Sequence, residues 1–412
     1  MRLGSVLRQL LDDIRRQRLR TILTVLGITW GTTAVVTLLA FGTGFERQMT
    51  INARGIGDGV VILSGGRTTV PFQGFAERRP IRLVEEDADL LDREVVGIER
   101  ITPEYGTWGR YVSRGTRRTN VYLTGVEAEY GEVRNVFARA GGRFINNADV
   151  SNQRRVIVLG NEVKQLLFGD EEAVGQEVRV GRTPFTVVGV MVEKTQDSSY
   201  NARDEDRAFI PRTTYRTLEG SRNVGRLLYT PVDPELSPAV NQEVRQVLAR
   251  KYTFDPDDQD ALNVWDTNES LKLFKYIFIG FNLFLGMVGC FTLVVGGVGV
   301  ANIMFVVVQE RTREIGIRRS LGARRRDVLL QVLLEATLIV ASGAFLGFVL
   351  SLGITRVMGL LPIQEFVGVP IISGEVVLLT GSLLLLVALA AGLLPARRAA
   401  ALDPADALRW GT

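Results

Sequence analysis

The densest concentration of reactive side chains in this sequence lies at 309–331, QERTREIGIRRSLGARRRDVLLQ, with seven arginines and three acids. A guanidinium is a planar, permanently charged fork that matches carboxylate and phosphate oxygens. The chemistry this stretch can do is recognition: docking on an acidic protein surface, or contact with lipid phosphates. Elsewhere the means for making or breaking bonds are thin. The chain has no histidine, which removes the commonest general base and the commonest zinc ligand. Its one cysteine, Cys290, sits in an apolar run, so no disulfide can form within the chain. There is no Gly-Lys dipeptide and hence no P-loop, no G-x-S-x-G, and no cluster of acids at metal-binding spacing. The acids Asp204-Glu205-Asp206 read as a solvated loop. Catalytic, cofactor-binding and metal-ligating residues are therefore not expected, and the chain is not expected to hydrolyse ATP alone. Net charge is only +4, which argues against a nucleic-acid partner.

What positions the arginines is the apolar sequence on either side. Mean hydropathy is +0.15, and the apolar residues gather in four runs, at 19–41, 276–308, 328–357 and 376–394. Each reaches about 18 residues or more, the length at which a membrane span is expected. Arg2, Arg8, Arg15, Arg16, Arg18 and Arg20 mark the start of the first run as cytoplasmic. The chain then goes out, returns to the arginine stretch, goes out again and returns to Arg397, Arg398 and Arg409. The connection at 359–374 has no Lys or Arg and one acid, Glu365. All basic clusters thus fall on one face of a plasma (inner) membrane, with both termini cytoplasmic. The first run reads as a retained anchor rather than a cleaved signal. Before it, Val6, Leu7, Leu10, Leu11 and Ile14 share one helical face, the pattern of a helix lying in the membrane interface or on a partner subunit.

Within the spans, Gly27-x-x-x-Gly31 and Gly343-x-x-x-Gly347 point to close helix–helix packing. Asn282, Asn302 and Glu335 are the main polar side chains, too few to line a solute path. Glu335 lies about 12 Å along a helix from Asp327, within reach of the inner interface or of an arginine. Trp30 is a bulky choice beside Gly31. Asp266-Thr267-Asn268-Glu269-Ser270 offers N-cap residues, and no proline follows until well past 308. A helix over 268–308 would be about 60 Å long against a hydrocarbon core of about 30 Å. Its outer part is expected to stand as a stalk, a rod able to carry a displacement.

Between the first two spans strand and helix signals mix. RRVIVL at 154–159 reads as a strand leading into a helix at 162–168. Alternating strands at 176–180 and 185–192 flank Gly181-Arg182-Thr183-Pro184 as a hairpin, 208–211 precedes another helix, and 238–252 is helical. The fold class expected is a membrane protein with four transmembrane α-helices and a large α+β extracytoplasmic domain between the first and second helix. The chain divides into an interfacial helix at 1–18, a first span at 19–44, the outer domain at 45–267, stalk and second span at 268–308, a charged loop at 309–327, a third span at 328–358, a short outer loop at 359–374, a fourth span at 375–395 and a tail at 396–412.

ANIMFVVVQERTREIGIRRSLGARRRDVLLQVLLEA at 301–336 closely resembles the signature of the MacB/FtsX-type permeases of ATP-binding cassette systems. Residues 18–44 resemble that family's first span, 156–190 its periplasmic core domain and 393–409 its tail. The resemblance implies a dimer of four-span subunits, either a homodimer or a heterodimer with a similar permease. It also implies an ATPase, with its ATP and Mg, at the cytoplasmic face, and no solute path through the spans. Movement would pass along the second helix to the outer domain, with a periplasmic adaptor as a further partner. The loop at 309–327 would be the coupling element, its contact residues Glu310, Arg311, Arg313, Glu314, Ile315, Gly316, Arg318 and Gly322, with Ile315 and Ile317 as apolar anchors. Macrolide-exporter-type members often carry the ATPase on the same chain; here no P-loop is present, so a separate subunit is expected. The function implied is export of antibiotics, peptides or other amphiphiles. Release of lipoproteins, or FtsX-like regulation of cell-wall hydrolases, are the alternatives.

Overall fold

The computed structural model describes residues 18–196, 199–361, 364 and 368–403. The interfacial helix expected before the first span lies outside the described residues, as do Glu365 and Arg409. The chain forms two compact units, one at 50–274 and one built from 1–49 with 275–412. In chain order the helices are α1 (Arg18–Arg54), α2 (Glu86–Glu94), α3 (Tyr130–Val133), α4 (Asn147–Ser151), α5 (Asn161–Phe168), α6 (Arg212–Glu219), α7 (Ser237–Tyr252), α8 (Thr267–Glu310), α9 (Thr312–Ser320), α10 (Arg325–Met358) and α11 (Gly374–Ala401). The strands are β1 (Val61–Gly65), β2 (Ile98–Arg114), β3 (Arg117–Val126), β4 (Val156–Leu159), β5 (Glu177–Val180), β6 (Thr183–Val190), β7 (Arg207–Pro211), β8 (Arg226–Pro231) and β9 (Leu262–Asp266).

In the 50–274 unit the strands run in the order β3-β7-β4-β6-β5-β2-β8-β1-β9, and β3 also pairs with β2. The long strand β2 therefore serves twice. Its N-terminal half pairs with β8 and extends the antiparallel group β8-β1-β9; its C-terminal half pairs with β3 and β5 and closes a six-stranded ring. The ladder slips between Thr107 and Arg110, where Gly109 adopts φ +84°. Such a bulge bends a strand and raises its twist, as closing a ring needs. The hairpin expected at 181–184 is tighter than its signal: Val180 pairs with Thr183, so Gly181-Arg182 alone makes the turn and Pro184 stands in β6. Leu123, Ile157, Leu159, Phe185, Val187 and Ile210 are among the buried residues of the core.

One expectation is overturned inside this unit. Asp204 is not in a solvated loop but fully buried. It is enclosed by three cations, one from far along the chain and two from nearby: Arg134 Nη2 at 2.9 Å, Lys194 Nζ at 2.8 Å and Arg207 Nε at 3.2 Å. A second acid, Glu104, accepts from Tyr130 and Tyr200 hydroxyls at 2.6 Å each and faces Arg207 at 3.4 Å. Burial pulls the Asp204 carboxyl upward, but the three cations outweigh it and hold it below the usual range. Burial likewise pushes Lys194 down to about 8, against the pull of Asp204. A charge is tolerated in such a place because its partners are buried with it.

Among the described residues four helices are long and apolar enough to cross a membrane: α1, α8, α10 and α11. Helix α1 extends ten residues beyond the expected end of the first span, because nothing in Phe45–Arg54 breaks a helix before Gly55. Helix α8 is 44 residues long, about 66 Å at 1.5 Å per residue. Asp266 Oδ1 accepts from the Asn268 N–H at 2.8 Å, capping its start.

Glycines set how closely these helices approach. Gly27 lies against the Gly296 backbone, and a Cβ on Gly31 would stand 3.0 Å from Leu293. A Cβ on Gly343 would stand 2.8 Å from Ile28, and one on Gly347 2.6 Å from Thr32. Two hydroxyls of α1 donate across the same contact, Thr29 to the Gly343 carbonyl and Thr33 to the Gly347 carbonyl, both at 3.2 Å. Trp30 lies 72% exposed on the outside of the helix group. Residues 30 and 31 are about 100° apart on a helix, so its bulk does not compete with the packing of Gly31.

Candidate functional site: the elbow after the second long helix

The arginine stretch forms an elbow. Helix α8 ends at Glu310, α9 occupies Thr312–Ser320, and α10 starts at Arg325. Arg311 N–H still bonds to the Val307 carbonyl at 3.1 Å, and Ile315 N–H bonds to the Arg311 carbonyl at 2.9 Å, so backbone bonding resumes within one turn of the elbow. The far end of α9 is a Schellman motif: Ala323 N–H bonds to Arg318 O and Gly322 N–H to Arg319 O, both at 3.1 Å. Gly322 adopts φ +100°, a conformation other residues reach only under strain.

A polar network joins α9 to α10. Arg311 Nη1 donates to both oxygens of Glu335, at 3.0 and 3.2 Å, and Gln331 Nε2 donates to Glu335 at 3.2 Å. Arg318 Nη1 donates to Gln331 at 2.9 Å, and its Nη2 to Glu314 at 2.5 Å. Glu335 is only 6% exposed. These side chains surround a small pocket, lined also by Val307, Val308, Ile315, Val328 and Val332. Arg319 Nη1 reaches the Ala400 carbonyl at 3.2 Å, tying α9 to the end of α11. The elbow is thus fastened to two of the long helices from within its own unit.

The residues picked from the sequence divide by where they point. Arg311, Glu314, Ile315 and Arg318 belong to the inward network together with Glu335, and Gly316 is buried. Arg313, Gly322 and Glu310 are exposed. Ile315 packs against the apolar core of the long helices, whereas Ile317 is 42% exposed. Leu321, 83% exposed and one helical turn beyond Ile317, makes the outward apolar pair and was not singled out from the sequence; the i, i+4 spacing was its available signal. Asn302 is exposed and joins no part of this network, while Asn282 donates to Glu46 at 3.2 Å.

Four long apolar helices, a large α+β domain between the first two and a fastened polar elbow after the second define a multi-pass membrane protein of the transporter-permease class. Residues 21–247 match the family profile of the MacB-like periplasmic core domain, and residues 286–404 match that of the FtsX-like permease C-terminal region. The chain belongs to the MacB/FtsX-type permeases of ABC transporters. It is 31% identical over 99% of its length to a macrolide export ATP-binding/permease protein MacB of Chlorobaculum tepidum, covering 61% of that protein. It is 31% identical over 95% of its length to a pyoverdine export ATP-binding/permease protein PvdT of Pseudomonas aeruginosa, covering 56% of that one. The chain therefore spans about three fifths of the length of the curated relatives it matches. The periplasmic region of MacB from Actinobacillus actinomycetemcomitans superposes with a TM-score of 0.43 at 19% identity, over 54% of this chain and 96% of that one.

Proposed function

We propose that this chain is the membrane-spanning part of an ABC exporter, driven by ATP hydrolysis outside these 412 residues. The observation that carries the reading is the fastened elbow: α9 is bonded to α10 and α11 on one side and offers Arg313, Ile317 and Leu321 on the other. An ATP-binding component, with its Mg, docks on that outward face, and Glu310, Arg311, Arg313, Glu314, Ile315, Gly316, Arg318 and Gly322 form or support the contact. The elbow lies on the cytoplasmic side of the inner membrane, both termini share that side, and a second permease copy packs laterally to make a dimer. A displacement of the elbow passes along α8 to the extracytoplasmic domain, where a periplasmic adaptor engages. The cargo is an amphiphile such as an antibiotic or a peptide, as the names of the relatives support.

The test is Leu283→Pro in α8. Leu283 is 64% exposed, so the change removes little packing. A proline in a helix interior removes a backbone hydrogen bond and clashes with the preceding turn, at about 3 kcal/mol or more. ATP hydrolysis by the complex is expected to persist while export falls at least about tenfold, with membrane insertion confirmed. Wild-type export in this variant would show that α8 is not the transmitting rod.

A further inference from the structure

A second basic site lies beside the elbow. Arg325 and Arg326 at the start of α10 and Arg397 near the end of α11 line an open depression together with Leu329, Leu330, Ala400 and Ala401. All three arginines are exposed, and among the described residues none has an ion-pair or hydrogen-bond partner. Among the described residues no acid lines the depression. Asp327, the neighbouring acid, accepts the Arg324 N–H at 3.0 Å as a helix-capping group. The arginines of the elbow proper behave differently: Arg311, Arg318 and Arg319 are all bonded within the chain.

We propose that this depression binds the headgroup of an anionic glycerophospholipid, with the phosphate on Arg325, Arg326 and Arg397 and the upper acyl chain on Leu329 and Leu330. Three observations select a lipid rather than an acidic protein. The arginines stand within about one helical turn of the apolar runs that begin at 328 and end at 394, which is the depth of the phosphate layer. The floor is apolar and open, with Leu330 56% exposed, as an acyl chain needs. The guanidiniums come from two helices and converge on one depression, whereas basic residues that only set topology need share no site.

The test uses the full chain in detergent with equal amounts of phosphatidylglycerol and phosphatidylcholine, with retained lipid counted by native mass spectrometry. Wild type should retain phosphatidylglycerol over phosphatidylcholine. Arg326→Gln should cut that preference about fivefold, the effect of one basic side chain near an anionic surface. The triple variant Arg325→Gln, Arg326→Gln, Arg397→Gln should lose it. A charge-matched control at exposed arginines of the large domain, Arg93→Gln, Arg155→Gln, Arg222→Gln, should keep it. Equal retention of both lipids by wild type, or an equal loss in the control, overturns the site. Full displacement by millimolar inorganic phosphate would make it a soluble-anion site instead. A triple variant that keeps its lipid preference but no longer co-purifies with the ATP-binding component would assign the arginines to that protein. The lipid measurement needs no ATPase, so it stands or falls apart from the coupling reading; if the triple variant misfolds, the single Arg326→Gln result decides.

Discussion

The Arg311–Glu335 pair is the part of the elbow whose energetic role can be isolated. Glu335 receives two hydrogen bonds from Arg311 and one from Gln331, and the two charged side chains are 14% and 8% exposed. Arg311→Met removes the bidentate partner of Glu335 and leaves it the neutral Gln331 donor, in a pocket lined by Arg318 and Glu314 as well as by valines and Ile315. Removing one partner of a buried pair costs about 3–5 kcal/mol; residual exposure places this case near the lower figure. Glu335→Met costs less, because the long arginine side chain can turn to solvent. The double Met variant replaces the pair with apolar groups of similar volume and is expected within about 1 kcal/mol of wild type. The cycle then yields a coupling of about 2–3 kcal/mol. The assay is hydrogen–deuterium exchange of backbone amides over 309–331 in the purified chain, which reads local opening without requiring global unfolding. Arg311→Met should speed exchange there by about a hundredfold, at 1.4 kcal/mol per tenfold, and the double variant should return it to near wild type. If the double variant exchanges as fast as Arg311→Met, or if the single variant changes exchange by less than about threefold, the elbow is held by apolar packing and the pair is not its fastening.

Two further outcomes follow from other parts of the molecule. Gly347→Leu places a Cβ 2.6 Å from Thr32 and 2.7 Å from the Thr29 carbonyl, so it should lower thermal stability in detergent by about 1–3 kcal/mol, whereas Gly353→Leu, with nothing within 4 Å, should be neutral; equal effects would refute close α1–α10 packing. The buried charge cluster makes the stability of the large domain depend on pH in two windows. Asp204 has its folded pKa depressed, so its contribution is present above about 4 and is lost as pH falls through the folded value; Asp204→Asn should flatten the acid limb of urea stability. Lys194 releases its proton at about 8 when folded but near 10.4 when unfolded, so the unfolded chain binds more protons between those values and stability should rise across that window, an increase that Lys194→Met removes.

What could be read from the sequence was what local composition encodes. Four apolar runs specify the spans because hydropathy acts over one helix length. The pairing of Glu335 with an arginine was within reach, since its depth below Asp327 can be counted along a helix; that Arg311 is the one was not, because the choice depends on how the chain turns at Arg311 itself. Asp204 defeats sequence reading for a related reason. Three acids in a row look solvated, and only a fold that brings 134, 194 and 207 around the first of them reverses that. The double use of β2 is likewise invisible, since one run of alternating residues says nothing about how many partners it has. A signal was available for the α1–α10 contact: Thr29 and Thr33 share the four-residue spacing of Gly343 and Gly347, and hydroxyls that donate across a glycine contact satisfy themselves without water. The arginines show the limit most clearly. Counting them gives an expected side of the membrane, but a count treats Arg311, Arg318 and Arg319 like Arg325, Arg326 and Arg397. The first three are bonded into the elbow and the last three line an apolar depression. One property of the side chain, a fixed charge on a planar fork, therefore holds a turn together in one place and leaves a surface open to a ligand a few residues away.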